Sequence, residues 1–116
     1  MNTRLHNILI ADDDFAGRVM LQEGLSYAGF NVLVAENGCV AENLIQTHDF
    51  DLLVLDNQME PGPTGIDLCK RYSEKTPVLI ISGADIEQEA ITAGAVAFLL
   101  RPVTPGHLVS VIRSFT

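Results

Sequence analysis

The sequence predicts a three-layer α/β domain in which a doubly wound, five-stranded parallel sheet carries helices on both faces. Short apolar runs alternate five times with stretches of helical periodicity. The run at residues 52–55 is apolar throughout, as in strands that are buried on both faces. Right-handed crossovers between such strands place the helices on both sides of the sheet. A chain of 116 residues has the size of one domain, so we expect residues 1–116 to fold as a single unit.

The first two strand–helix units occupy the amino-terminal part of the chain. Residues 7–11 form the first predicted strand, and residues 15–28 form a helix that ends at Gly29, a residue typical of left-handed helix stops. Residues 31–35 then form the second strand. Helical periodicity at residues 38–47 predicts the second helix.

The middle of the chain contains the third unit. Residues 52–56 form the third predicted strand, and the following residues 59–63 contain two prolines and a glycine, which predicts a loop. Thr64 followed three residues later by Asp67 resembles a capping box. The third helix is therefore predicted over residues 65–72.

The last third of the chain repeats the pattern twice. Asp85 followed three residues later by Gln88 predicts one helix start, and Thr104 before Pro105 predicts another. The predicted elements are a strand over residues 77–81, a helix over residues 85–93, a strand over residues 96–100 and a helix from residue 105 to about residue 114.

Charge and hydropathy exclude several classes of function. The formal net charge is −8, with 15 acidic and 7 basic residues, which argues against direct nucleic-acid binding because that requires clustered Lys and Arg. The polar amino terminus leads into only four apolar residues, so we predict neither a signal peptide nor a membrane span. The expected location is cytoplasmic.

The cysteines and histidines do not have metal-site spacing. Cys39 and Cys69 form no CxxC pair, which predicts free thiols that are buried or half-buried in a reducing compartment. His6, His48 and His107 share no common spacing, so surface positions are expected.

Polar side chains follow four of the five predicted strands, where parallel strands deliver residues to one edge of the sheet. They are Asp12, Asp13, Asp14, Asp56, Ser82 and Arg101. Clustered carboxylates repel one another until a cation binds, and oxygen ligands suit Mg²⁺. A hydroxyl and a guanidinium nearby complete a site for a phosphoryl group, which Asp56 can accept as an aspartyl phosphate. The alternatives are that Asp12 and Asp14 only start a helix and that Ser82 only ends a strand.

Four segments together resemble the receiver (CheY-like) domain of bacterial two-component response regulators. Residues 8–14 end in the acidic run, residues 53–59 contain Asp56, residues 80–84 contain Ser82, and residues 93–102 contain Phe98 and Arg101. The resemblance covers essentially the whole chain. It implies a flavodoxin-like strand order of 2-1-3-4-5, which the pattern alone does not reveal, and it favours a cis peptide bond between Arg101 and Pro102.

The resemblance also implies roles for individual residues. Asp56 would accept a phosphoryl group from a histidine kinase or phosphotransfer protein. Asp13 and Asp56 would bind Mg²⁺ directly, Asp12 would bind it through water, and Gln58 would bind it through its backbone carbonyl. Ser82 and Arg101 would contact the phosphoryl group, and Ser82 and Phe98 would form the conformational switch. Such a domain catalyses at most its own phosphorylation and dephosphorylation.

This sequence departs from the family pattern at two places. Arg101 stands where receivers normally have Lys, and a planar guanidinium differs from a compact ammonium in how it binds oxygen. The segment at residues 59–65 is one residue longer than the usual Met-Pro-x-x-Asp-Gly. Because that loop borders the predicted site, we expect its shape to be particular to this chain.

Two other functions remain open from the sequence. One is a pseudo-receiver, an interaction module held by an Asp56–Arg101 pair and not switched by phosphorylation. The other is a Mg²⁺-dependent phosphohydrolase that forms an aspartyl phosphate, as enzymes of the haloacid dehalogenase type do; Gln58 disfavours it, because those enzymes have an Asp two residues after the nucleophile. A flavin-binding domain is less favoured still.

The last two helices are rich in apolar residues. Leu108, Val109, Val111 and Ile112 lie within five positions, which is more than one buried stripe requires. We therefore predict that residues 85–113 provide a surface for homodimerisation or for contact with a downstream protein. We also predict that phosphorylation strengthens this contact.

Overall fold

The computed structural model describes residues 7–115 and contains the predicted alternation of strands and helices. The strands are β1 (Asn7–Ala11), β2 (Asn31–Ala35), β3 (Leu52–Asp56), β4 (Val78–Ser82) and β5 (Ala97–Leu100). The helices are α1 (Phe15–Tyr27), α2 (Gly38–Thr47), α3 (Gly65–Tyr72), α4 (Glu87–Thr92) and α5 (Pro105–Arg113).

The five strands form one parallel sheet in the order β2-β1-β3-β4-β5, which confirms the order implied by the family resemblance. The register aligns the carboxyl ends of the strands. Ala11 lies beside Leu55, Asp56 beside Ile81, and Ser82 beside Leu100. Residues that follow the aligned strands therefore meet at one edge of the sheet.

Side-chain alternation along the central strands builds a core on each face of the sheet. On one face Leu9, Leu53 and Ile80 pack with residues of α2, α3 and α4. On the other face Ile8, Leu52 and Leu79 pack with residues of α1 and α5. Every residue of β3 and β4 is buried, as the continuous apolar run predicts.

The boundaries of the later elements differ slightly from the predictions. The largest difference is at α4, which begins at Glu87 rather than at residue 85, because its N-cap is Ile86 and no side chain caps it. By contrast, the predicted capping box of Thr64 and Asp67 is present at α3. β4 is shifted by one residue towards Ser82. The peptide bonds Glu60–Pro61 and Arg101–Pro102 are both cis, the second as the resemblance implied.

Two further predictions need correction. Cys39 is exposed, whereas Cys69 is buried as expected. The apolar residues of α5 are not surplus, because all of them contact the core: Leu108 and Ile112 are fully buried, and Val109 and Val111 are half-buried against it. Among the helices of residues 7–115, none combines the length and apolar character needed to cross a bilayer.

Candidate functional site

Three carboxylates converge at the carboxyl edge of the sheet. Asp12 follows β1 and Asp56 is the last residue of β3; each is only 4% exposed, whereas Asp13 is exposed. One oxygen from each of the three lies within 4.8 Å of the others. The sequence predicted this convergence, and the alignment of β1 with β3 produces it.

Arg101, which follows β5, joins two of these carboxylates. Its Nη1 donates a hydrogen bond to Oδ1 of Asp56 at 3.1 Å, and its Nη2 donates to Oδ2 of Asp12 at 3.0 Å. The guanidinium fork therefore forms two ion pairs with buried partners while its own side chain is 35% exposed. One positive charge is shared between two of the three acidic groups.

The environment shifts the pKa of both members of this pair. Burial raises the pKa of Asp56 above its ordinary value; the hydrogen bond and charge of Arg101 oppose this, and the neighbouring charges of Asp12 and Asp13 add to it. Burial alone would lower the pKa of Arg101. The hydrogen bond to Asp56 and the charge of Asp56 outweigh this effect, so the pKa of Arg101 is raised. The site thus holds a carboxylate that is charged at a free-energy cost beside a firmly charged arginine.

An open cavity of about 320 Å³ leads to Asp56. It is lined by Asp13, Asp56, Gln58, Ser82, Gly83, Ala84 and Arg101. Ser82 is buried at the end of β4, where its Oγ accepts a hydrogen bond from the Ala84 N–H at 3.0 Å. Gln58 is exposed, and its backbone N–H lies 3.4 Å from Oδ1 of Asp56. The predicted acidic, hydroxyl and guanidinium groups therefore share one cavity.

Phe98 lies apart from these groups. It is half-buried on β5, opposite Ile80 of β4, and packs against the core on the face covered by α2, α3 and α4. Phe98 is therefore a partly exposed residue at the margin of this core and does not line the cavity.

Sequence reasoning missed Arg18, which is a second cation at the site. Its Nη1 donates to the backbone carbonyl of Asp12 at 2.8 Å, and its guanidinium lies 5.5 Å from the ring centre of Phe15. Asp14 caps α1 by accepting from the Gly17 N–H, so its helix-start interpretation is correct. Arg18 lies in the first turn of the helix that follows the acidic run. That position is the sequence signal from which its place near the site could have been predicted.

The longer loop beside the site is anchored by backbone contacts. The N–H of Gly38 donates to the carbonyl of Met59 at 2.8 Å, and the N–H of Cys39 donates to that of Pro61 at 3.2 Å. Met59, the first residue of the loop, is buried. The start of α2 therefore holds the segment that follows Gln58, which is one of the residues that line the cavity.

The fold and its acidic edge define a receiver domain of the kind that response regulators carry. Residues 8–113 match the family described as "Response regulator receiver domain", and the chain belongs to that family.

Individual proteins share this similarity over nearly the whole chain. The chain is 36% identical over 115 residues to the transcriptional regulatory protein CpxR of Escherichia coli, covering 95% of this chain and 49% of CpxR. It is 34% identical over 120 residues to the sensory/regulatory protein RpfC of Xanthomonas campestris, covering 94% of this chain and 16% of RpfC. The chain thus spans half or less of these relatives.

Solved structures show the same fold. The chemotaxis response regulator CheY4 of Vibrio cholerae has a TM-score of 0.87 at 27% identity, covering 97% of this chain and 99% of CheY4. The receiver domain of Francisella response regulator 1452 has a TM-score of 0.87 at 29% identity, covering 94% of each chain.

Proposed function

We propose that this chain is a phosphorylation-controlled switch of a two-component phosphorelay, in which Asp56 accepts a phosphoryl group from a histidine kinase or phosphotransfer protein. The observation that supports it most directly is the position of Asp56, a buried carboxylate that opens into a cavity beside two other carboxylates and a guanidinium. In the transfer, one carboxylate oxygen of Asp56 forms a bond to phosphorus while the bond from phosphorus to the donor's leaving nitrogen breaks.

The hydrogen bonds of Asp56 suggest which oxygen reacts. Its contacts with Arg101 and with the Gln58 N–H both fall on Oδ1. Oδ2 is then the better placed nucleophile, since Oδ1 is already engaged as an acceptor. Arg101 holds the carboxylate in position and supplies positive charge where the phosphoryl oxygens arrive.

The acidic groups fit a divalent cation. Asp12, Asp13 and Asp56 offer hard oxygen donors within 4.8 Å of one another, as Mg²⁺ prefers. By family resemblance we assign Asp13 and Asp56 as direct ligands, Asp12 as a ligand through water and Gln58 as a ligand through its backbone carbonyl. Bound Mg²⁺ would neutralise negative charge on the phosphoryl oxygens during transfer.

Ser82 and Phe98 are proposed to carry the conformational response. The Ser82 hydroxyl already accepts from the Ala84 N–H, so its own O–H remains able to donate to a phosphoryl oxygen. Phe98 lies on the neighbouring strand and packs into the core. A shift of the segment after Ser82 would therefore be transmitted to the packing around Phe98.

The output surface is proposed to lie within residues 85–113. Its exposed apolar side chains are Ile91, Val96 and Leu100, which are 47%, 49% and 50% exposed and lie on or beside α4 and the edge strand β5. We propose that a second copy or a downstream protein binds there and that phosphorylation strengthens the contact. Sedimentation that shows the same monomer at all concentrations, with and without a phosphoryl mimic, would contradict the homodimer.

The decisive experiment is intact-mass spectrometry after incubation with Mg²⁺ and acetyl phosphate. Wild type and the surface control Asp85→Asn should gain one phosphoryl group, and Asp56→Asn should gain none. Gain of the group by Asp56→Asn would show that another residue is the acceptor. No gain by wild type, together with no Mg²⁺ binding, would favour the pseudo-receiver held by the Asp56–Arg101 pair.

A further inference from the structure

The side chain of Arg101 binds two of the three carboxylates that would hold a divalent cation. Its two Nη atoms contact Oδ2 of Asp12 at 3.0 Å and Oδ1 of Asp56 at 3.1 Å. Both carboxylates belong to the cluster of three whose oxygens lie within 4.8 Å of one another. The guanidinium is therefore a cation that already binds two members of the candidate metal site.

The shape of the arginine side chain makes this double contact possible. The guanidinium is a rigid planar fork with separate donors on its two Nη atoms, so it can bind two carboxylates at once. A lysine ammonium is a compact point charge on a flexible stem and does not present two donors at this fixed separation. Three carboxylates carry a charge of −3, and the guanidinium reduces the charge of the cluster to −2.

The second basic residue near the site interacts differently. Arg18 donates to the backbone carbonyl of Asp12, not to its carboxylate. The side-chain oxygens of Asp12 instead accept from Arg101 and, through Oδ1, from the Asp14 N–H at 2.9 Å. Of these two arginines, only Arg101 donates to carboxylate groups of the candidate metal site.

We propose that Arg101 is a resident counter-cation that competes with the divalent metal for Asp12 and Asp56, so that this arginine sets the metal affinity of the site. The inference rests on the proposed function and deepens it. Because two ligands that share the same oxygens weaken each other's binding reciprocally, metal binding displaces the guanidinium from at least one carboxylate. The freed guanidinium is then available to an incoming anionic group.

The test is a MgCl₂ titration of the 116-residue chain at constant ionic strength. Calorimetry and backbone amide chemical shifts measure Mg²⁺ binding during the titration. The variants are Arg101→Lys, Arg101→Gln and Arg71→Lys. The last is a matched control, because Arg71 also pairs with a carboxylate, that of Glu42, but on α3. Arg101→Lys should lower the Mg²⁺ dissociation constant at least about fivefold, the lower end of typical coupling between two ligands. Arg101→Gln should lower it further, and Arg71→Lys should match wild type.

A direct readout comes from the arginine side chain itself. One arginine Nε–Hε resonance, that of Arg101, is identified by its absence from the spectrum of Arg101→Lys. During the titration of wild type this resonance should shift more than that of Arg18, which contacts only the backbone carbonyl of Asp12. Equal or weaker Mg²⁺ binding by both Arg101 variants, with circular dichroism showing that Arg101→Lys is folded, would overturn the inference and leave the proposed function intact. Absence of Mg²⁺ binding in every variant would overturn both.

Discussion

The backbone of Gly38 lies directly against the carbonyl of Pro63, so close that a Cβ atom on Gly38 would overlap the Pro63 oxygen. This contact joins the start of α2 to the loop that follows the cavity-lining residue Gln58. Gly38→Ala should therefore destabilise the fold by about 1–3 kcal/mol, as expected when a methyl group is forced into a packed contact. Chemical denaturation measures the change in the free energy of unfolding.

Gly106 provides the matched control for this substitution. It lies in the first turn of α5, and no atom lies within 4 Å of the position that its Cβ would take. Gly106→Ala should be neutral or stabilise the protein by about 0.5 kcal/mol, because alanine loses less backbone entropy in a helix. Equal effects at both glycines would contradict the importance of the Gly38–Pro63 contact.

Removal of the buried charge at Asp56 should stabilise the protein at neutral pH. Burial raises the pKa of this carboxyl, so its ionised form is disfavoured in the folded state. Asp56→Asn should increase the free energy of unfolding by about 1 kcal/mol at pH 7 without Mg²⁺, since Arg101 keeps Asp12 as a partner.

The sign of the pH dependence follows from the raised pKa. The stability deficit of wild type relative to Asp56→Asn is fully present above the pKa of Asp56 in the folded state. This deficit disappears as pH falls from that value through the pKa that Asp56 has in the unfolded chain. Denaturation curves of the two proteins at several pH values test this, with the exposed Asp85→Asn as control; a difference that grows as pH falls would contradict the expectation.

The phenol of Tyr72 supports a polar contact between α2 and α3. Its hydroxyl donates to Glu42 at 2.7 Å, and Arg71 contacts the same carboxylate. The hydrogen bond from Tyr72 is the main reason that the pKa of Glu42 is lowered. Tyr72→Phe should raise the pKa of Glu42 and destabilise the protein by about 1 kcal/mol.

Carboxyl NMR titration and chemical denaturation measure these two effects. The control is Tyr27→Phe, since Tyr27 is 95% exposed at the end of α1. If Tyr72→Phe leaves the pKa of Glu42 where it is in wild type, the hydrogen bond is not formed in solution.

The capping box at α3 should contribute measurably to stability. The Thr64 hydroxyl accepts from the Asp67 N–H at 3.0 Å, and the Asp67 carboxylate accepts from the Thr64 N–H at 3.1 Å. Thr64→Ala should lower the free energy of unfolding by about 1 kcal/mol. Thr64→Ser keeps the hydroxyl and should therefore retain most of the stability that the cap contributes. Similar losses in both variants would assign the effect to the methyl group instead.

Much of this arrangement was predictable because apolar runs and polar residues occur in a simple order. Asp12, Asp56, Ser82 and Arg101 each follow or end a strand, and parallel strands deliver such residues to one edge. The strand order was not predictable from the pattern and came from the family resemblance. Nor did the pattern reveal that Arg101 bridges two carboxylates, because that depends on side-chain conformation and not on spacing.

Other errors arose where tertiary packing decides the outcome. The four apolar residues of α5 indicated surplus surface, yet Val109 and Val111 also contact the core beside Leu108 and Ile112. At α4, Asp85 resembled a cap, but the helix begins after Ile86 and no side chain accepts from its first N–H groups.

Cys39 offers a labelling position next to the loop that follows Gln58. Its thiol is exposed while that of Cys69 is buried, so a maleimide dye or a spin label should react at one position of the unaltered sequence. The backbone of Cys39 is bonded to Pro61 in the loop beside the site. Because the sequence contains no tryptophan, a dye at Cys39 would give a fluorescence signal distinct from that of the two tyrosines, and it would report on movement of this loop when Mg²⁺ or acetyl phosphate is added.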